Sequence, residues 1–228
     1  MSPRAESGSP VNHLEEDGNA HLTVCKTSLF FAGDGFAVYD SAGHLVFRVD
    51  SYGGPDTHDM DELVLMDAVG HAVLTVRRKR PSLHHRWEGY LGERNDDSKP
   101  IFSVRRSSII GRSDLTVEMY NNPGEEYHIE GSFHQRSCTV YEGNVDHSNH
   151  DKKVVVAEIR RKVDADAQVL LGKDVFMLCV KQGFDPAFAM ALVLVLDQIS
   201  GNGDGLFDYL ARPEVHPADE DYEEHEKS

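Results

Sequence analysis

Cysteine is scarce in this chain of 228 residues, with Cys25, Cys138 and Cys179 the only three. No two of them form a CxxC or CxC pair, which removes the usual basis of a structural zinc site. The N-terminal stretch Met1-Ser-Pro-Arg-Ala-Glu-Ser-Gly-Ser-Pro10 lacks the apolar core of a secretory signal, so the thiols are expected to be reduced and the protein intracellular. Long hydrophobic runs are missing too; none approaches the ~20 residues needed to span a bilayer as a helix. There is no Gly-x-Ser-x-Gly elbow and no Walker motif, and Gly33-x-Gly35 and Gly201-x-Gly203 lack the third glycine of a dinucleotide site. Positive charge is the minority sign: 23 Lys and Arg stand against 39 Asp and Glu, a net charge of −16. Such acidity argues against broad nucleic-acid binding while leaving room for local basic patches.

The negative charge is concentrated at the two ends. Residues 1–20 and 211–228 are acidic, contain proline and have few aliphatic residues, so both are expected to be disordered. Residues 21–210 are left as one domain. With 39% hydrophobic and 27% charged residues overall, the composition is ordinary for a globular protein with a real core.

What the chain does contain is a long series of short β-rich runs. Phe36–Asp40 and His44–Asp50 flank Ser-Ala-Gly43, and Leu63–Asp67 and His71–Arg77 flank Ala-Val-Gly70. The two units share Asp-x-x-Gly-His and read as hairpins with glycine-containing turns. Leu45, Phe47 and Val49 alternate with polar or less apolar positions, as do Ala72, Leu74 and Val76, giving each second strand one core face. Ahead of them, Leu22–Phe31 is predicted to be a strand that stops at Gly33-Asp-Gly35. Beyond them the same grammar predicts strands at His85–Leu91, Ile101–Arg106, Leu115–Tyr120, Tyr127–Ser132, Arg136–Glu142, Lys153–Arg161 and Val175–Lys181. Ser51–Asp61 reads as an exposed loop.

One helix stands out. Asp185 is suited to the N-cap and Pro186 to the first helical position, and every residue from Ala187 to Leu196 is apolar. A helix with no polar face needs enclosure on all sides. The run is roughly 15 Å long, half a bilayer's hydrocarbon core, so protein is the expected surrounding. About twelve antiparallel strands would close into a barrel too wide to be filled by their own side chains, and the helix supplies the missing volume. The expected fold is therefore mainly β, a closed antiparallel barrel enclosing one C-terminal hydrophobic helix.

Leu-Val-Leu-Met-Asp67, Thr-Val-Arg-Arg-Lys79, Arg-Trp-Glu88, Arg-Ser-Cys-Thr-Val-Tyr141, Ala-Glu-Ile-Arg-Arg-Lys162, Leu-Gly-Lys-Asp-Val175 and the helix ending Leu-Asp-Gln-Ile199 occur in that order. This series resembles the plant LURP-one-related family over residues 20–210. The resemblance implies the tubby-like barrel, shared with tubby C-terminal domains and phospholipid scramblases, and a plant source. It also implies a role in plant defence. Tubby domains bind phosphoinositides, although no tubby binding motif maps onto particular residues of this chain.

The functional lead in the residues themselves is basic. Arg77-Arg-Lys-Arg80, Arg105-Arg106 and Arg160-Arg-Lys162 (that is, Arg77, Arg78, Lys79, Arg80, Arg105, Arg106, Arg160, Arg161 and Lys162) each follow an apolar strand. Strands ending on one rim would gather them into a patch for anionic phospholipid head groups. The alternative is a set of solvated strand ends paired with carboxylates such as Glu88, Asp97 or Glu118. Thirteen histidines are present, but His44, His84-His85 and His147-x-x-His150 lack a metal-ligand spacing. Ser200–Gly205 lacks the closing Glu of a calcium loop, with Ala211 at that position. Cys138 and Cys179 lie in apolar strand runs and are expected to be inert packing groups. No cofactor, metal or catalytic constellation is expected. The expected function is a non-enzymatic binding module for anionic lipids or protein partners, cytoplasmic, membrane-peripheral or nuclear. A scramblase-like lipid handler and a tubby-like membrane-tethered transcriptional regulator are the alternatives.

Overall fold

The computed structural model describes residues 18–29, 33–50, 62–80, 86–106, 114–143, 153–163 and 169–201. The expectations for residues 1–17 and 211–228 of the two acidic ends, for the loop Ser51–Asp61, for His84, His85, His147 and His150, and for the glycines after Gly201 lie outside these residues. So do Phe30 and Phe31. Ala20, expected in the disordered end, opens the first strand.

The strands are β1 (Ala20–Leu29), β2 (Gly33–Tyr39), β3 (Leu45–Asp50), β4 (Glu62–Asp67), β5 (Ala72–Arg78) and β6 (Trp87–Leu91). They continue as β7 (Phe102–Arg106), β8 (Leu115–Met119), β9 (Glu126–Ser132), β10 (Ser137–Glu142), β11 (Val154–Arg161) and β12 (Val175–Val180). Each is antiparallel to its neighbours in sequence, and β12 pairs with β1 to close the barrel. The one helix among the described residues, α1 (Pro186–Gly201), comes after β12. One boundary differs from expectation: Gly33-Asp-Gly35 opens β2, paired with Leu29, Ser28 and Thr27, and does not break the sheet. Glycine tolerates a strand when its partner continues the ladder.

Alternation fixes which side chains fill the barrel. Val24, Val38, Leu65, Val76, Trp87, Val104, Val117, Ile129, Ile159 and Phe176 point to the core and are almost completely buried. The helix completes it, since Ala187 to Leu196 are all buried. Phe188 packs edge-on against Phe102, with ring centroids 4.9 Å apart, and against Tyr127 at 5.8 Å. Those rings belong to the starts of β7 and β9, so the helix begins at that end. Asp185 caps it, accepting from the N–H of Ala187 (2.8 Å) and Phe188 (3.4 Å).

The two Asp-x-x-Gly-His units form equivalent turns. Asp40 Oδ1 accepts from His44 N–H at 2.8 Å, and Asp67 Oδ1 does the same for His71 N–H at 2.8 Å. In both, the imidazole Nδ1 lies 3.2 Å from the other carboxylate oxygen. Gly43 (φ +82°) and Gly70 (φ +95°) occupy left-handed positions that a side chain would strain. These turns lie at the end where the even-numbered strands finish. The opposite end collects the finishing residues of the odd-numbered strands, and it is there that the basic residues gather.

Candidate functional site

In a sequential antiparallel ring, every odd-numbered strand finishes at the same rim. Arg77–Arg80 leave β5, Arg105-Arg106 finish β7 and Arg160–Lys162 leave β11, so all three basic clusters reach one mouth of the barrel. β5 and β7 flank β6. β11 stands on the opposite wall, across a mouth roughly 24 Å wide for twelve strands at ~4.8 Å spacing and ~40° tilt.

Period two then divides each doublet. Arg77, Arg105 and Arg160 are in the outward phase and each meets a wall glutamate. Arg105 Nε donates to Glu118 Oε1 at 2.9 Å and Arg160 Nη2 to Glu158 Oε1 at 2.7 Å, while Arg77 Nε lies 3.9 Å from Glu62 Oε2. Glu62 also takes Arg94 Nε at 2.9 Å, and Glu118 also takes Arg86 Nη2 at 3.4 Å. Lys79 donates to Glu88 at 2.7 Å, with the Tyr90 hydroxyl on the other oxygen at 3.1 Å. The expected pairing with Glu88 and Glu118 is therefore present. Asp97 is different: it lies in the β6–β7 connection at the far rim, where its N–H bonds the Asn95 side chain.

The second member of each doublet is in the inward phase. Arg78 is in register with buried Trp87, Arg106 with buried Leu115 and Arg161 with buried Phe176. Arg161 Nη2 donates to the Leu171 carbonyl at 3.0 Å. Of the remaining expected residues, Arg80 is exposed just beyond β5, and Lys162 reaches Thr23 Oγ1 on β1 at 2.7 Å.

Two further cations join this mouth. Lys26 continues the inward series Leu22, Val24 on β1, and its Nζ lies 3.1 Å from Asp197 Oδ2 near the end of α1. Arg136, in the turn between β9 and β10, is stacked between Phe133 and Phe176 at 4.1 and 4.5 Å from the ring centroids. Its Nε donates to the Lys173 carbonyl at 2.8 Å and its Nη1 to that of Phe133 at 3.2 Å. Burial pushes the Arg136 guanidinium below its usual range, while Asp197 and Asp174 act to raise it. The helix thus ends at the cationic mouth, with its negative dipole end and Asp197 facing Lys26 and Arg136. Lys26 was legible from the alternation Leu22–Val24–Lys26. Arg136 carries no such signal, because its backbone is left-handed (φ +53°), the only such non-glycine among the described residues.

The cysteines divide as well. Cys138 faces the core, and burial pushes its thiol up to about 12. Cys179 is close-packed yet in the outward phase of β12, with Sγ 3.8 Å from His21 Nδ1.

The comparisons with known proteins agree with this architecture. The family model described as LURP-one-related matches residues 20–197. The chain belongs to the LURP-one-related family. It is 65% identical over 201 residues to Protein LURP-one-related 5 of Arabidopsis thaliana, covering 88% of this chain and 91% of that protein. It is 62% identical over 200 residues to Protein LURP-one-related 12 of the same plant, covering 88% and 86%. A crystal structure of an Arabidopsis thaliana protein superposes with a TM-score of 0.55 at 24% identity, covering 81% of this chain and 93% of that one. That likeness concerns the fold: the LURP-one-related domain here is a closed barrel around its C-terminal helix.

Proposed function

We propose that this LURP-one-related protein is a non-enzymatic, peripheral binding module that holds anionic phospholipid head groups at the cationic mouth of its barrel. The observation that carries the reading is the division of the arginine doublets. Their outward members lie on the wall beside glutamates, while their inward members follow the core-facing phase of β5, β7 and β11 to one mouth, where Lys26, paired with Asp197, and the buried Arg136 add positive charge. Multivalent arginine suits phosphate, whose oxygens match the guanidinium fork. Each basic residue brought near an anionic membrane adds about 1 kcal/mol. No helix among the described residues is long and apolar enough to cross a bilayer. The helix packs inside the barrel, with Ala187 to Leu196 all buried, which favours a module that binds at its surface. A role in plant defence would place this attachment in a signalling setting.

The test is sedimentation with vesicles of phosphatidylcholine alone and with added phosphoinositide, at low salt and at about 0.5 M salt, where the Debye length falls to roughly 4 Å. The expected result is phosphoinositide-dependent pelleting that high salt abolishes. Equal recovery in the supernatant with both vesicle types at low salt would refute the lipid reading.

A further inference from the structure

The helix delivers the chain to the cationic mouth, and the sequence beyond it is strongly acidic. After Gly201 come Leu206-Phe207 and Tyr209-Leu210, then Glu214, then Asp219–Glu226, a run interrupted only by Tyr222 and His225. That Gly201 lies at this mouth is implied by the pairing of Asp197 with Lys26 near the end of β1. At the same rim the β11–β12 connection exposes Val163, Val169 and Leu170, at 46%, 58% and 50%. An apolar stretch succeeded by an acidic one therefore leaves from a rim carrying an apolar ledge beside Arg161 and Lys162.

We infer that the segment Leu206–Glu226 docks on the mouth from which it emerges, its apolar part against Val163, Val169 and Leu170 and its carboxylates over the rim cations. It thereby competes with external anions. This inference rests on the anion-binding reading above and adds its regulation. The reach is adequate: Glu214 is thirteen positions after Gly201, with twelve residues between them, giving a root-mean-square span of roughly 20 Å, against a barrel radius of about 12 Å. A tether of that length holds the acidic run at an effective concentration near the millimolar range. Weak contacts then suffice, and a phosphoinositide-rich surface with more charge displaces them.

Two measurements on the full chain test this. The first is zero-length carbodiimide crosslinking without lipid, read by peptide mass spectrometry on a mixture of isotopically light and heavy protein. The expected links join carboxylates of 214–226 to Lys79, Lys162 or Lys173 within one molecule, and they fade at high salt. Links only between light and heavy chains would assign the mouth to a second copy's tail, and absence of tail-to-rim links would overturn the inference. The second measurement repeats vesicle sedimentation on a full-length variant with the acids of 214–226 changed to Gln or Asn. Its apparent affinity for phosphoinositide vesicles is expected to rise roughly three- to tenfold. If both forms pellet equally, the tail does not compete and the inference fails while the lipid reading stands. If tail-to-rim links form but neither form pellets, docking stands and the lipid reading fails.

Discussion

At the scale of single residues, the arrangement turns on the partner each charged group meets and the environment that holds it. Asp67 is the clearest case. Burial works to raise its carboxyl, but hydrogen bonds from the backbone and ring of His71 and from the N–H groups of Val69 and Gly70 prevail and hold it below the usual range. A depressed folded-state pKa means that this stabilisation is present above the unfolded value and is lost as pH falls through the folded one. Asp67→Ala is expected to cost about 1 kcal/mol at neutral pH, as for a lost turn or capping carboxylate. The difference from wild type should shrink in thermal melts taken below about pH 4. Lys26 and Asp197 form a less exposed pair, with side chains 23% and 9% accessible. Lys26→Met leaves Asp197 with one cation fewer in a buried setting, and about 3 kcal/mol of lost stability is expected in urea denaturation. The double change Lys26→Met/Asp197→Leu should recover most of that loss. A double variant as unstable as the single one would contradict the pairing.

The elements themselves were largely legible from the chain. All twelve strands and the helix fall within a few residues of positions read from alternation and turn residues, because each strand has one face committed to a filled core. The misplaced break at Gly33-Asp-Gly35 arose because local glycine preference yields to continuous pairing with β1. The helix stands apart because ten consecutive apolar residues tolerate only full enclosure. Leu192→Ala at its centre, 1% exposed, is expected to cost about 2–5 kcal/mol, measured by chemical denaturation, since neighbours on every side hinder collapse around the void. Gly89 shows the same tightness in the wall. A Cβ there would lie 2.0 Å from the Phe102 ring, which itself packs on Phe188 of the helix. Gly89→Ala is expected to lower stability by about 1–3 kcal/mol through displacement of that ring. An unchanged midpoint would mean that the wall and plug are looser than described.

For the whole molecule, the decisive property is that three basic clusters converge on one end of the barrel. The finishing ends of β5, β7 and β11 bring the inward arginines to one mouth with Lys26 and Arg136, where Glu62, Asp174 and Asp197 also lie, while Asp40, Asp67, Asp96 and Asp97 belong to the opposite end with Lys99, Lys153 and Lys181. The clusters were visible as sequence and their convergence only as a condition, because it depends on strand parity around a closed ring. Nor were the outward partners fully visible, since Glu62 and Glu158 meet their arginines through cross-strand and same-strand geometry. The proposed lipid binding therefore depends on a distinction between neighbours one residue apart. It is tested most directly by two triple variants compared in the same phosphoinositide-vesicle sedimentation, Arg78→Gln/Arg106→Gln/Arg161→Gln and Arg77→Gln/Arg105→Gln/Arg160→Gln, with folding of each confirmed by circular dichroism. The inward triple is predicted to lose at least about tenfold in apparent affinity, from about 1 kcal/mol per cation, while the outward triple loses no more than a few-fold. Equal losses from both, or a larger loss from the outward triple, would contradict the assignment of binding to the mouth.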